Sequence, residues 1–437
     1  MSDLPKIVYV TAGAGGMYCG SCIRDNMLAS GLDDLGWEVL LVPLYTPIRV
    51  DEKDQSIDRV FFGGVNVYLQ QKIPLFRFLP SVLDRWLDNP KFLRRVASGS
   101  MSVSAKDLGG MTLSMVKGED GFQRKEVRRL VHWLKAYAKP DLVCLSNLLV
   151  GGCIPALKRE LGVPVFVTLQ GDDVFLDELE EPWRKQVLDE MRSLAEQADG
   201  FITFSEAYRN KMSDLLNIPR ERFHNTPLGI EVEDFDGVYR ARSEREAGQV
   251  VGYFARMAPE KGFDVAVDAF IEVAKKNPEA TFKIGGWLSD KDRDFHRRQV
   301  EKIEDAGLRE RFVFVEASGG EAKLAFYESI DVFTVPARFI EPKGLYVLEA
   351  MACGLPVVVP DRGAFPEMVE SGGGLLCQPE NPEDLADKLL ELLSNPEKAA
   401  AHGEKGRKRV VESHGRRAMS EATADIFRDA LSAAEQG

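Results

Sequence analysis

The sequence predicts two α/β domains in series, each built on a doubly wound parallel sheet. Three observations carry this. Short β-branched runs alternate with longer stretches of helical period, the pattern of parallel strands joined by helical crossovers. The alternation restarts after a polar break in mid-chain. The length of 437 residues and a hydrophobic content of 44% suit two or three domains with large cores.

In the first half, strands are expected at Ile7 to Val10, Val39 to Val42, Val65 to Leu69, Leu142 to Leu145, Val165 to Leu169 and Phe201 to Phe204. Each is a short apolar run bounded by polar or turn-forming residues. The break from Asp236 to Gly248 contains Arg240-Ala241-Arg242-Ser243-Glu244-Arg245-Glu246 and has too few apolar residues for a core, so it reads as an interdomain linker. Strands resume at Val250 to Phe254, Thr281 to Ile284, Phe312 to Phe314, Val332 to Val335 and Val357 to Val359. The expected domains are therefore 1–235 and 249–415, followed by a C-terminal helix over 416–437. Met419, Ala422, Ile426, Ala430 and Leu431 form the stripe that would pack this helix back on a domain, with the N-terminal domain as its expected place.

Fifty-six basic against 69 acidic residues leave a net charge of −13, which repels a phosphate backbone and argues against a nucleic-acid partner. The longest apolar runs fall far short of the roughly 20 residues that span a bilayer. The N-terminus lacks a basic start, apolar stretch and small-residue cleavage site in sequence, so a cytoplasmic location is expected. Six cysteines are too few for a disulfide framework. Cys19 and Cys22 form a C-x-x-C pair, read as packing thiols ahead of a redox or zinc role because no second pair accompanies them.

Three motifs carry chemistry. The first runs from Phe339 through Glu341-Pro342-Lys343-Gly344-Leu345 to Glu349-Ala350-Met351-Ala352-Cys353-Gly354-Leu355-Pro356. Pro342 interrupts a strand exit, and Leu345 to Ala352 reads as a helix that Gly354 and Pro356 stop. Gly344 then lies at a helix N-terminus, where backbone N–H groups favour phosphate or hydroxyl oxygens. Glu349, about one turn in, can accept hydrogen bonds from both hydroxyls of a ribose. Either glutamate alone would more often be an ordinary ion-pair partner.

In the second motif, the strand Val250 to Phe254 runs into Arg256-Met257-Ala258-Pro259-Glu260-Lys261-Gly262. A turn at Pro259 would aim both cations at one diphosphate. The third, Gly13-Ala14-Gly15-Gly16 after the first strand, fails the dinucleotide fingerprint because Tyr18 holds the third glycine position. Gly15 and Gly16 can still offer backbone N–H groups to phosphate.

Together these motifs resemble the retaining GT-B glycosyltransferases of family 4, in the family's order and approximate spacing over most of the chain. The resemblance implies two Rossmann-like domains facing an interdomain cleft, and transfer of a hexosyl group from a UDP- or GDP-linked sugar with no metal or other cofactor. It implies that Arg256 and Lys261 hold the donor diphosphate, Glu341 a sugar hydroxyl and Glu349 the ribose, while Gly344, Leu345, Gly15 and Gly16 offer backbone donors. Ser205 and Gly229 fall in weaker family motifs as donor contacts. Gln170 stands where many members have histidine and cannot become positively charged, which alters the sugar contact expected there. Lys343 replaces a residue that is commonly apolar or aromatic.

Residues 72–96 mix aromatics with bases and read as helices covering an acceptor site, with peripheral membrane contact as the other reading. A phosphorylase or epimerase on the same scaffold, or a non-catalytic nucleotide-sugar binder, are the alternatives in function. Nothing in the sequence specifies the acceptor or the oligomeric state.

Overall fold

The computed structural model of the protein describes residues 4–13, 20–48, 50, 53–57, 60–62, 69–71, 105–315 and 320–436. Contacts divide the chain into two units, one of Met1–Thr226 with Met419–Gly437 and one of Pro227–Ala418. Each holds a six-stranded sheet whose strand pairs are all parallel. This is the doubly wound α/β architecture, twice.

In the first unit the strands are β1 (Lys6–Thr11), β2 (Glu38–Pro43), β3 (Leu142–Leu145), β4 (Val165–Thr168), β5 (Gly200–Thr203) and β6 (Phe223–Asn225), ordered β2-β1-β3-β4-β5-β6. Ile7, Val8, Tyr9 and Val10 have no exposed surface, which is why β1 reads as a continuous apolar run. Strand β6 escapes the sequence pattern because Phe223 is its one apolar residue. It is held by stacking on Phe201, with ring centroids 5.0 Å apart. Of the strand expected at Val65 to Leu69, residues 65–68 lie outside the described residues and Leu69 is helical.

The C-terminal helix, Arg416–Gln436, joins the first unit from Met419 onward. Its buried face differs from the expected stripe. Met419, Ala424 and Phe427 are fully buried, while Ile426, Ala430 and Leu431 lie at the margin of the cluster and Ala422 is half-buried. The Phe427 ring sets this rotation, sitting 5.7 Å from Phe166 and 6.4 Å from Trp37 in edge-on contacts.

The second unit contains β7 (Val250–Phe254), β8 (Thr281–Gly285), β9 (Phe312–Phe314), β10 (Val332–Thr334), β11 (Val357–Pro360) and β12 (Gly374–Cys377), ordered β12-β11-β10-β7-β8-β9. The glycines leading into β12 disguise it in the sequence. They are needed there, since a Cβ on Gly374 would stand 2.2 Å from the Val357 carbonyl oxygen of the neighbouring strand.

The segment expected to be a linker is instead largely helix, Asp236–Glu244, and belongs to this unit. Its arginines misled the count of apolar residues. Arg242 donates to the Ile330 carbonyl, and Arg245 reaches the same oxygen at 3.0 Å, so their stems lie against the fold and their heads satisfy a carbonyl in the connection that leads into β10. Among the described residues no helix is long and apolar enough to cross a membrane.

Candidate active site

Ligands of doubly wound sheets bind outside the carboxyl ends of the strands, where the strand order reverses. In the second unit that reversal falls between β7 and β10. The loops leaving these two strands are packed together.

After β7, Pro259 starts a single 3-10 turn and Gly262, at φ 66°, ends it and begins the helix Phe263–Lys276. The Tyr253 hydroxyl donates to the Arg256 carbonyl at 2.9 Å and fixes the start of the loop. The loop after β10 meets it through the Arg338 N–H, 3.0 Å from the Glu260 carbonyl. The Arg338 guanidinium adds a two-pronged contact to Asp264 at 2.8 and 2.7 Å.

This packing brings Lys261 to Glu341. The ammonium lies 2.8 Å from Glu341 Oε2 and sits over the rings of Phe339 and Tyr346, at 4.6 and 4.8 Å from their centroids. The Tyr346 hydroxyl donates to the same carboxylate oxygen at 2.7 Å, and the Gly344 N–H to Oε1 at 3.3 Å. Glu341 is only 4% exposed. Burial alone would raise its carboxyl, yet the Lys261 charge and the two hydrogen bonds hold it below the ordinary value. Glu341 is therefore an anion whose position is fixed.

Arg256 pairs with Glu260 one turn on, and both side chains are partly exposed. The guanidinium can exchange that partner for a bound anion at small cost.

Gly344, at φ 67°, precedes the helix Leu345–Ala352, so Leu345 is its first residue, as the sequence predicts. Glu349 lies on the buried side of that helix, 8% exposed. Its Oε2 accepts from the Tyr327 hydroxyl and its Oε1 from Lys323, both at 2.9 Å. Two donors do not saturate a carboxylate, which retains acceptor capacity for a vicinal diol. The sequence motifs do not single out Tyr346, Lys323 or Tyr327. The signal for the last two is their spacing, four residues apart on the helix Gly320–Glu328, which puts both on one face. Gly229 is buried in the same unit, beside Ile230, whose N–H donates to the His414 carbonyl at 2.8 Å.

In the first unit the order reverses between β1 and β3. Gly15, Gly16 and Cys19 lie outside the described residues, as does the 72–96 segment. Cys22 is buried. Gln170, 7% exposed, follows β4 and donates from Nε2 to the Ser146 carbonyl at 2.7 Å, just beyond β3. The Asp172 carboxylate accepts from the Leu148 N–H at 2.6 Å and the Gln170 N–H at 3.2 Å, tying the loops after β3 and β4 together. Its burial pushes the carboxyl up to about 6 despite these donors. Ser205 is the N-cap of the helix Glu206–Leu216, accepting from the Tyr208 N–H at 3.2 Å, so a local structural task accounts for it. Among the described residues no group of three or more His, Cys, Asp or Glu is arranged to hold a metal ion.

Two family models match the chain. That of group 1 glycosyl transferases covers residues 238–409, and that of a glycosyl transferase 4-like domain covers residues 24–229. A GDP-mannose-dependent phosphatidylinositol monomannoside mannosyltransferase of Mycolicibacterium smegmatis is 29% identical over 50% of this chain and 59% of its own length. The alignment thus spans little more than half of that relative. A D-inositol 3-phosphate glycosyltransferase of an Arthrobacter strain is 25% identical over 81% of this chain and 86% of its own. Among solved structures, Anabaena HepE in complex with UDP superimposes with a TM-score of 0.69 at 17% identity, over 97% of this chain and 100% of that one. Sucrose-phosphate synthase of Thermosynechococcus elongatus gives 0.69 at 19% identity, over 98% and 100%.

Proposed function

Because the chain belongs to the group 1 glycosyltransferases of GT-B fold, we propose that it moves a hexosyl group from a UDP- or GDP-linked sugar to an acceptor hydroxyl, with retention and without a metal. The observation that supports this most is the Lys261–Glu341 pair, placed where the strand order reverses and flanked by Arg256 and the helix start at Gly344.

In this reading Arg256, Lys261 and the helix N-terminus bind the diphosphate. As the bond between the anomeric carbon and the β-phosphate oxygen breaks, its electron pair leaves with the diphosphate. Cations already in place stabilise that charge without reorganising. The acceptor oxygen bonds to the anomeric carbon on the same face, and its proton passes to the departing phosphate. Glu341, anchored by Lys261 and Tyr346, accepts from a sugar hydroxyl and orients the ring. Glu349 accepts from the ribose diol.

The test is binding and slow hydrolysis of a panel of nucleotide sugars, with and without a chelator, by the wild-type protein and Glu349→Ala. Selective binding that survives the chelator and is lost in the variant supports the donor site. Retention is read from the anomeric configuration of the product. Absence of binding across the panel would overturn the reading.

A further inference from the structure

Trp287 is 45% exposed, whereas Trp37 is 4% exposed and the Trp133 ring packs 5.1 Å from that of Phe61. Among the described residues the Trp287 indole has no stacking, cation–π or hydrogen-bond partner. A single exposed apolar side chain is ordinary on a protein surface. The position of this one in the sheet sets it apart.

Phe254 of β7 and Gly285 of β8 are register partners, so Arg256 and Trp287, each two residues farther on, leave neighbouring strands at the same level. The Met257 N–H donates to the Trp287 carbonyl at 3.0 Å. Gly286, at φ 115°, lets the two backbones touch, since a Cβ there would stand 2.1 Å from the Ala255 carbonyl oxygen. Farther along, the Ser289 hydroxyl donates to the Asp292 carboxylate, and the Asp292 N–H to the Ser289 carbonyl at 3.1 Å, ahead of the helix Arg293–Asp305. Trp287 thus stands on a backbone anchored before and after it, beside the turn that carries Arg256 and Lys261.

The order β10-β7-β8-β9 gives the site a direction. Glu341 follows β10, Arg256 and Lys261 follow β7, and Trp287 follows β8. A ligand whose diphosphate meets the two cations and whose sugar meets Glu341 has its remaining part on the β8 side. Glu349 faces Lys323 and Tyr327 on the helix Gly320–Glu328, which returns from β9. The nucleoside end of the ligand is therefore bordered by elements that leave β8 and β9. A flat ring with an uncovered face is the partner that an aromatic base accepts.

We infer that Trp287 is the platform on which the base of the nucleotide donor stacks, so that the base is held through its face. This rests on the transferase reading. Stacking needs no matched set of donors and acceptors, so the same platform accepts a uracil or a guanine ring.

The test compares UDP and GDP with ribose 5-diphosphate, the same ligand without its base, by calorimetric titration and by competition. The wild-type protein should bind at least one of the two nucleoside diphosphates about tenfold or more tightly than ribose 5-diphosphate. Trp287→Ala should lose about tenfold in affinity for that nucleoside diphosphate and leave ribose 5-diphosphate unchanged. Trp287→Leu, which keeps an apolar side chain against the loop, should behave like the alanine variant, and Trp287→Phe should retain most of the difference. Equal losses for the ligands with and without a base would make Trp287 a support for the Arg256 turn and overturn the assignment. Wild-type binding and turnover combined with an alanine variant that binds every ligand as wild type does would remove this inference alone. Absence of wild-type binding to either nucleoside diphosphate, with no turnover of any donor, would remove the transferase reading and the inference with it.

Discussion

A Cβ atom on Gly262 would stand 1.8 Å from the carbonyl oxygen of Pro336. The loops after β7 and β10 therefore meet backbone to backbone, and Gly262, at φ 66°, is what allows it. Lys261 and Glu341 are brought together by that contact.

Gly262→Ala should cost about 3 kcal/mol, combining the left-handed backbone penalty with displacement of a main-chain carbonyl. It should also lower turnover by separating Lys261 from Glu341. Denaturant unfolding measures the first effect. A loss below about 1 kcal/mol would mean that the loops do not pack as described.

Arg256 and Lys261 should differ when removed, although the sequence aims both at one diphosphate. Arg256 is 29% exposed and its partner Glu260 23%, so Arg256→Ala should change stability by less than about 0.5 kcal/mol while lowering transfer by about two decades. Lys261→Met should lower both, because it leaves the buried Glu341 carboxylate without its counter-ion. A stability loss of about 2 kcal/mol is expected, short of the full cost for a buried pair since the Lys261 side chain is 18% exposed. Paired unfolding and steady-state assays separate the two. Equal stability of both variants would contradict the described pairing.

The Glu341 carboxyl is held below its ordinary value of 4.5, so its charge contributes stability above that value and loses it as the pH falls through the lower folded value. The stability difference between the wild-type protein and Glu341→Gln should be flat above about pH 5 and shrink in stronger acid. Unfolding free energies from neutral pH to the acid limit of folding measure it. A difference that grows in acid would show that Glu341 is neutral in the folded protein.

Glu349→Ala should weaken nucleoside diphosphate binding by about tenfold to a hundredfold, as expected for losing hydrogen bonds to a charged acceptor. A 2′-deoxynucleotide should lose less, because it lacks one of the two donors. Calorimetric titration of both ligands checks this. Equal losses would move Glu349 away from the ribose.

Much of the site was legible before the fold was known because its parts are local. The glycine at position 344 reads from a strand exit, a proline and a helix start, and Glu349 follows one turn later along a helix whose bounds the sequence predicts. Arg256 and Lys261 lie on one short turn. The partners of these groups were not legible. Lys261 and Glu341 are 80 positions apart, and Lys323 and Glu349 are 26 apart.

The sequence by itself determined the two doubly wound sheets, most of their strands and the order of the site motifs, since apolar periodicity and turn residues act over a few positions. Tertiary structure alone decided that the Asp236–Glu244 segment folds as a helix of the second unit, that Phe427 orients the C-terminal helix, and that β6 and β12 complete the sheets. It also decided which carboxylate meets which cation. These outcomes depend on close packing and on the removal of charges from water, and neither is specified by any short stretch of chain.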